Sequence, residues 1–154
     1  MPSKSILRGT LAFFATITLS LSLSGCISLD MFNGKSDVFD LRVGDCINDD
    51  QDGEFSTINI VPCDEPHTDE VYFEFNMPEG DYPSSADFDE AFILRCVPAF
   101  ESFVGIAAEA TELGAWPITP TQRSWDERKD RLVQCLIYDP AVETMVGSLK
   151  DARR

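Results

Sequence analysis

Val61-Pro62-Cys63-Asp64-Glu65-Pro66-His67-Thr68-Asp69-Glu70-Val71 holds the only histidine of the chain, one of its five cysteines, two prolines and four carboxylates. Apolar, β-branched and aromatic runs flank it, Ile58–Val61 before and Val71–Phe75 after, so it reads as a rigid corner between two strands. Whatever chemistry the domain has is expected beside this corner.

Downstream, Val71, Phe73 and Phe75 alternate with Tyr72, Glu74 and Asn76, a strand with one buried and one wet face. Pro78, Gly80 and Pro83 end it. Ser84 or Ser85 can then cap a helix whose first turn carries Asp87, Asp89 and Glu90, the charge its N-terminal dipole favours. Phe88, Phe92, Cys96, Phe100 and Phe103 form one apolar stripe, more simply core than a binding platform. Pro98 predicts a kink or a break, and Gly105 a stop. Ile106–Leu113 reads as a further helical turn or two, and Gly114–Pro117 as a connector. Thr119, Pro120 and Gln122 fit the N-cap, N1 and N3 positions of a short helix through Trp125 to Arg128. Trp125 falls on its inner side, an anchor to the sheet in one reading and a glycan-stacking ring in the other. Leu132–Tyr138 is apolar on both faces and reads as a central strand, with Val133, Cys135 and Ile137 pointing one way. Met145–Leu149 reads as a last, short edge strand.

Upstream, Val38–Ile47 alternates as a strand with Phe39, Leu41 and Val43 on one face, turning at Gly44-Asp45 into Cys46. Asn48–Glu54 is an acidic turn; Asp49, Asp50 and Asp52 invite a calcium reading but lack the rest of an EF-hand ligand series. Phe55–Val61 returns antiparallel. Together these elements predict an α+β fold. It has a small antiparallel sheet of about four to five strands packed against one long helix, kinked or broken at Pro98, and a short second helix.

The first 26 residues follow a different logic. Lys4 and Arg8 precede an apolar stretch, Leu11–Leu23, long enough for a signal sequence and short for a membrane span. It closes in Leu23-Ser24-Gly25-Cys26, which resembles a bacterial lipobox. This divides the chain into a lipoprotein signal peptide (1–25), a lipidated tether (26–37) starting at Cys26, a domain (38–150) and a basic tail (151–154). The expected location is the extracytoplasmic face of the cell membrane, anchored through acyl chains such as palmitate. Removing Lys4 and Arg8 from the 12 basic residues leaves ten against 27 acidic ones, a net charge of −17. Such a field opposes nucleic acid and anionic headgroups and favours basic partners, or it serves as a solvated face that keeps an exported protein soluble.

Once Cys26 is set aside, four cysteines remain, an even number in an exported domain, which points to two disulfides with three pairings open. Chain reversal between the strands favours Cys46–Cys63, and two inward-facing positions favour Cys96–Cys135. No Cys-x-x-Cys pair and a single histidine argue against zinc. His67 is the only side chain suited to acid–base work near neutral pH, with Asp64 or Glu70 able to orient it. A hydrolase would also need a nucleophile, and neither Ser148 nor Ser124 stands in a Gly-x-Ser-x-Gly elbow. The plainer reading has His67 bonding locally to fix the corner and Glu70 leading the next strand. Candidate binding residues are Asp64, His67, Glu70 and Trp125, with no catalytic residue, metal or cofactor assigned.

Val43-Gly44-Asp45-Cys46, Val61–His67 with Glu70-Val71, Pro120-Thr121 with Trp125, Val133-Gln134-Cys135-Leu136-Ile137-Tyr138-Asp139 and Gly147-Ser148-Leu149 together resemble the septum-formation domain of actinobacterial envelope proteins, over about residues 38–150. The resemblance implies a role outside the membrane in septum formation and supplies no catalytic activity. The expected function is therefore a non-enzymatic interaction module, contacting division or cell-wall synthesis proteins. The alternative is a protein that binds peptidoglycan or a cation, or a hydrolase, using His67.

Overall fold

The computed structural model describes residues 35–48 and 57–154. Cys26, the signal region and most of the acidic turn lie outside the described residues. Six strands, β1 (Lys35–Asp37), β2 (Cys46–Asn48), β3 (Thr57–Val61), β4 (Asp69–Asn76), β5 (Gly114–Ile118) and β6 (Leu132–Tyr138), form one antiparallel sheet in the order β1-β3-β2-β4-β6-β5. Helix α1 (Ser85–Val104) covers one face, and the short α2 (Gln122–Arg128) links β5 to β6. The class is the expected α+β, with six strands: Lys35–Asp37, expected in the tether, and Gly114–Ile118, expected in a connector, both join the sheet.

The 38–47 strand is the first correction. Val38–Asp40 is a single 3₁₀ turn, and only Cys46–Asn48 pairs in the sheet. Leu41 is fully buried while Val43 is 49 % exposed, so the alternation of Phe39, Leu41 and Val43 marks no common face. A local turn takes over instead: the Arg42 amide donates to the Asp45 carboxylate at 2.7 Å, and the Asp45 amide donates to the Arg42 carbonyl at 3.0 Å. Polar side chains that bond the nearby backbone compete in this way with a strand ladder.

On β4 the alternation is broken by a bulge: Val71 opposes Leu136 and Phe73 opposes Cys135, leaving Tyr72 as the extra residue. The expected common face of Val71, Phe73 and Phe75 is thereby split. Tyr72 joins Phe73 and Phe75 against α1, whereas Val71 packs on the opposite side with Leu41, Ile47, Ile58 and Leu136. A bulge shifts the side-chain register by one residue, which periodicity cannot show. The buried Tyr72 hydroxyl donates to the Cys96 carbonyl at 3.1 Å, and burial pushes its pKa up.

Helix α1 starts as expected at the Ser84 cap, where Ser84 and Asp87 close a reciprocal capping box, and it ends at Gly105. It runs through Pro98 without a break. Its buried stripe, Phe88, Cys96, Phe100 and Phe103, holds the helix to the sheet on both sides of the proline, and Cys96 is bonded to Cys135 of β6 with Cα atoms 5.9 Å apart. The second disulfide joins Cys46 to Cys63 with Cα atoms 5.2 Å apart. Both pairings are those favoured by the sequence.

The Gly114–Pro117 connector is in fact the edge strand β5, with Gly114 opposite Tyr138 and Pro117 opposite Cys135. A proline lacks the ladder donor, but on an edge its nitrogen can face away from the sheet at no cost. Residues 145–149 form no strand; a single bridge between Met145 and His67 stands in its place. The cap of α2 falls two residues later than expected, with Thr121 as N-cap and Ser124 at N3. The terminal residues 151–154 are not a separate tail. The Asp151 and Arg153 amides donate to Phe103 and Val104 carbonyls of α1 at 2.8 and 2.9 Å, and Thr111 donates to the Arg154 carbonyl at 2.6 Å.

Candidate functional site

The corner that follows β3 is held from the C-terminal side of the chain. His67 and Met145 exchange both backbone hydrogen bonds, at 3.0 and 2.7 Å, and the Gly147 amide donates to the Cys63 carbonyl at 2.6 Å. Glu70 completes the clasp. Ser148 Oγ donates to its Oε1 at 2.6 Å and the Leu149 amide to its Oε2 at 2.7 Å, with the carboxylate 1 % exposed. Gly147 has φ +90°, a conformation that L side chains resist, so the Gly-Ser-Leu turn needs glycine at that position. Two sequence stretches nearly 80 residues apart thus build one joint, as the Glu70–Leu149 separation of 79 shows.

His67 lies at the centre of this joint with no solvent exposure. Its Nδ1 is 2.8 Å from the Glu65 carbonyl. A carbonyl only accepts, so Nδ1 carries a proton and donates it. Its Nε2 is buried and has no hydrogen-bond partner among the described residues. Within the corner Asp64 and Glu65 are exposed whereas the imidazole is buried, so Asp64 and His67 share no open surface. Glu70 has a possible metal-ligand geometry with Cys46 and Cys63, their donor atoms lying within 4.8 Å of one another. The two sulfurs are bonded to each other and both carboxylate oxygens already accept hydrogen bonds, so these groups serve the clasp instead.

Trp125, the fourth candidate, is 2 % exposed. Its indole donates to the Gly80 carbonyl at 3.0 Å, meets the Tyr82 ring edge-on at 5.9 Å, and carries the Arg131 guanidinium over its face at 3.7 Å. Arg131 is buried as well, and Glu79 accepts from it at 3.0 and 3.2 Å. This arrangement locks α2 to the loop before α1. Asp64, His67, Glu70 and Trp125 are therefore not gathered into one open site.

An open concavity lies elsewhere among the described residues, on the sheet face opposite α1. It is a groove of about 820 Å³ with Phe39, Trp116, Ile118, Leu132 and Gln134 along it and Thr119–Ser124, Glu127 and Arg128 of the α2 region forming a wall. Trp116 donates to the buried Asp69 carboxylate at 2.7 Å, which fixes its indole. Arg128 stacks over Phe39 at 4.9 Å, and Gln134 donates to the Leu41 carbonyl at 2.9 Å. The groove was missed because its floor is the strand read as a connector and its rim the turn read as a strand. The pairing of Trp116 with Ile118 at a spacing of two was the available signal.

These features define a small disulfide-stapled α+β domain whose polar signature residues close a joint between β4 and the C-terminal segment. The family model described as Septum formation matches residues 35–151, and the chain belongs to that family. Membership places it in septum formation, within division and envelope biology. No curated protein and no solved structure matches the chain. Among the described residues, no helix is long and apolar enough to cross a membrane.

Proposed function

We propose that this chain is a lipid-anchored, extracytoplasmic interaction module of septum formation, working by contact and not by catalysis. The observation that carries this reading is the engagement of Glu70: both of its oxygens accept hydrogen bonds from the Ser148–Leu149 segment, and His67 is sealed beside it. The groups best suited to acid–base work are used as structure. Lys4, Arg8, the apolar Leu11–Leu23 stretch and Cys26 support the anchor. Between Cys26 and β1 the tether is residues 27–34, which reach at most about 29 Å when extended, so partners are met close to the membrane. The net charge of −17 after signal removal favours basic surfaces on those partners.

The test is the position of a secretion-competent fluorescent fusion in dividing Gram-positive cells. Septal enrichment is expected, with release into the medium on Cys26→Ser; a uniform membrane signal from a functional fusion overturns the septal role.

One observation favours a second reading, in which the domain binds peptidoglycan: the groove combines Phe39 and Trp116 with Thr119, Gln122 and Arg128. Aromatic faces beside hydroxyl, amide and guanidinium groups suit a saccharide–peptide ligand. Calorimetry with soluble muropeptides decides it, and absence of heat removes it.

A further inference from the structure

Helix α1 is amphipathic on its sheet side, yet its outer side is not uniformly polar. Ile93 and Leu94 are 61 % and 62 % exposed, among the most exposed large hydrophobic side chains in the fold. Glu90, Ile93, Leu94, Val97 and Glu101 follow the spacing i, i+3, i+4, i+7 and i+11, which places them on one helical face. Both acids are exposed and flank the apolar centre along the axis. Neither Ile93 nor Leu94 is needed to hold α1, whose stripe of Phe88, Cys96, Phe100 and Phe103 is already buried.

We propose that this face of α1 docks a basic amphipathic helix of a partner protein, an inference that rests on the interaction-module reading above. Two adjacent aliphatic side chains left in water mark a contact surface more specifically than one alone. Charge selects the occupant. A second copy would bring Glu90 and Glu101 against the same acids in a molecule of net charge −15, and an anionic bilayer would meet the same repulsion. A helix with leucine-like anchors at i, i+3, i+4 and i+7 and lysine or arginine on its flanks satisfies both the apolar centre and the acidic ends.

The test uses the full-length chain in detergent with two synthetic helical probes sharing one leucine pattern, one flanked by lysine and the other by glutamate. The lysine probe is expected to bind, to weaken as salt rises, and to protect amides of 90–101 from hydrogen exchange in the unaltered protein. Ile93→Ser with Leu94→Ser, which alters no charge, is expected to weaken binding at least about tenfold, and Glu90→Gln with Glu101→Gln to flatten the salt dependence. Equal binding of both probes, or binding unchanged by the Ile93/Leu94 pair, overturns the proposal. So does protection confined to other segments, concentration-dependent self-association through this face in sedimentation, or stronger capture by anionic vesicles. Failure here with septal enrichment of the unaltered fusion retained removes the α1 face alone, whereas a uniform signal from a functional fusion removes the septal role.

Discussion

At the scale of single residues, the carboxylate of Glu70 shows how much a side chain can matter without touching a ligand. It accepts from Ser148 and from the buried Leu149 amide, so Glu70→Ala leaves both donors without their partner. A loss of about 2–3 kcal/mol is expected in urea unfolding, with the far-UV spectrum of the native state retained. Gly114 illustrates a different constraint. A Cβ there would fall on the Tyr138 ring, which crosses directly above the backbone. Gly114→Ala is expected to cost about 1–3 kcal/mol, and much less in a Tyr138→Ala background, a coupling that a double-mutant cycle measures. Asp139 offers a pH-dependent case. The Ala141 amide and then the Arg154 guanidinium hold its carboxyl below the ordinary value of 3.8. A depressed folded pKa contributes stability that is present above the unfolded value and lost as pH falls through the folded one. The stability difference between the native chain and Asp139→Asn is therefore expected to shrink as pH falls from about 5 towards 2, read from thermal unfolding at each pH.

At the scale of elements, α2 shows a short helix made stable by its ends and one anchor. Thr121 Oγ1 accepts from the Ser124 amide, Ser124 Oγ lies 3.1 Å from the Thr121 amide, and Trp125 with Arg131 pins the inner side. Thr121→Ala is expected to cost about 1 kcal/mol, whereas Thr119→Ala, outside the capping box, should stay within about 0.5 kcal/mol. The contrast in chemical denaturation locates the cap. Helix α1 has the opposite character, since its length comes from the buried stripe and not from propensity. The proline at 98 forfeits a hydrogen bond, and packing on both sides of it keeps the helix whole.

At the scale of the whole molecule, two sheet faces carry different tasks. One face bears α1 and the larger core, with Met145 and Leu149 delivered to it by the clasp. The other bears the smaller core under the Val38–Leu41 turn and opens into the groove. The disulfides tie the two arrangements together: Cys46–Cys63 closes the corner over a separation of 17, and Cys96–Cys135 fixes helix to sheet over 39. In the chain-entropy account they contribute about 3 and about 4 kcal/mol. Paired Cys→Ser replacement of Cys96 and Cys135 is thus expected to lower the unfolding midpoint more than replacement of Cys46 and Cys63, and non-reducing peptide mapping checks both bridges.

Local chemistry alone settled a good part of this protein. The capped start of α1, its stop at Gly105, the corner at Pro62–His67, the buried strand Leu132–Tyr138 and the family were legible because each depends on neighbours in sequence, and the disulfide pairings because cysteine parity set their number while chain reversal and inward-facing positions favoured the partners. The groove was not legible, because β5 is a strand only by virtue of pairing with β6, and Pro117 hid that pairing. The bulge at Tyr72 was equally hidden: the face each side chain takes depends on which β6 residue lies opposite. Most of all, the union of His67 and Glu70 with Met145–Leu149 belonged to the tertiary structure. Hydrogen bonds between segments so distant in the chain leave no periodicity in either one, and only the folded chain brings donor and acceptor within reach.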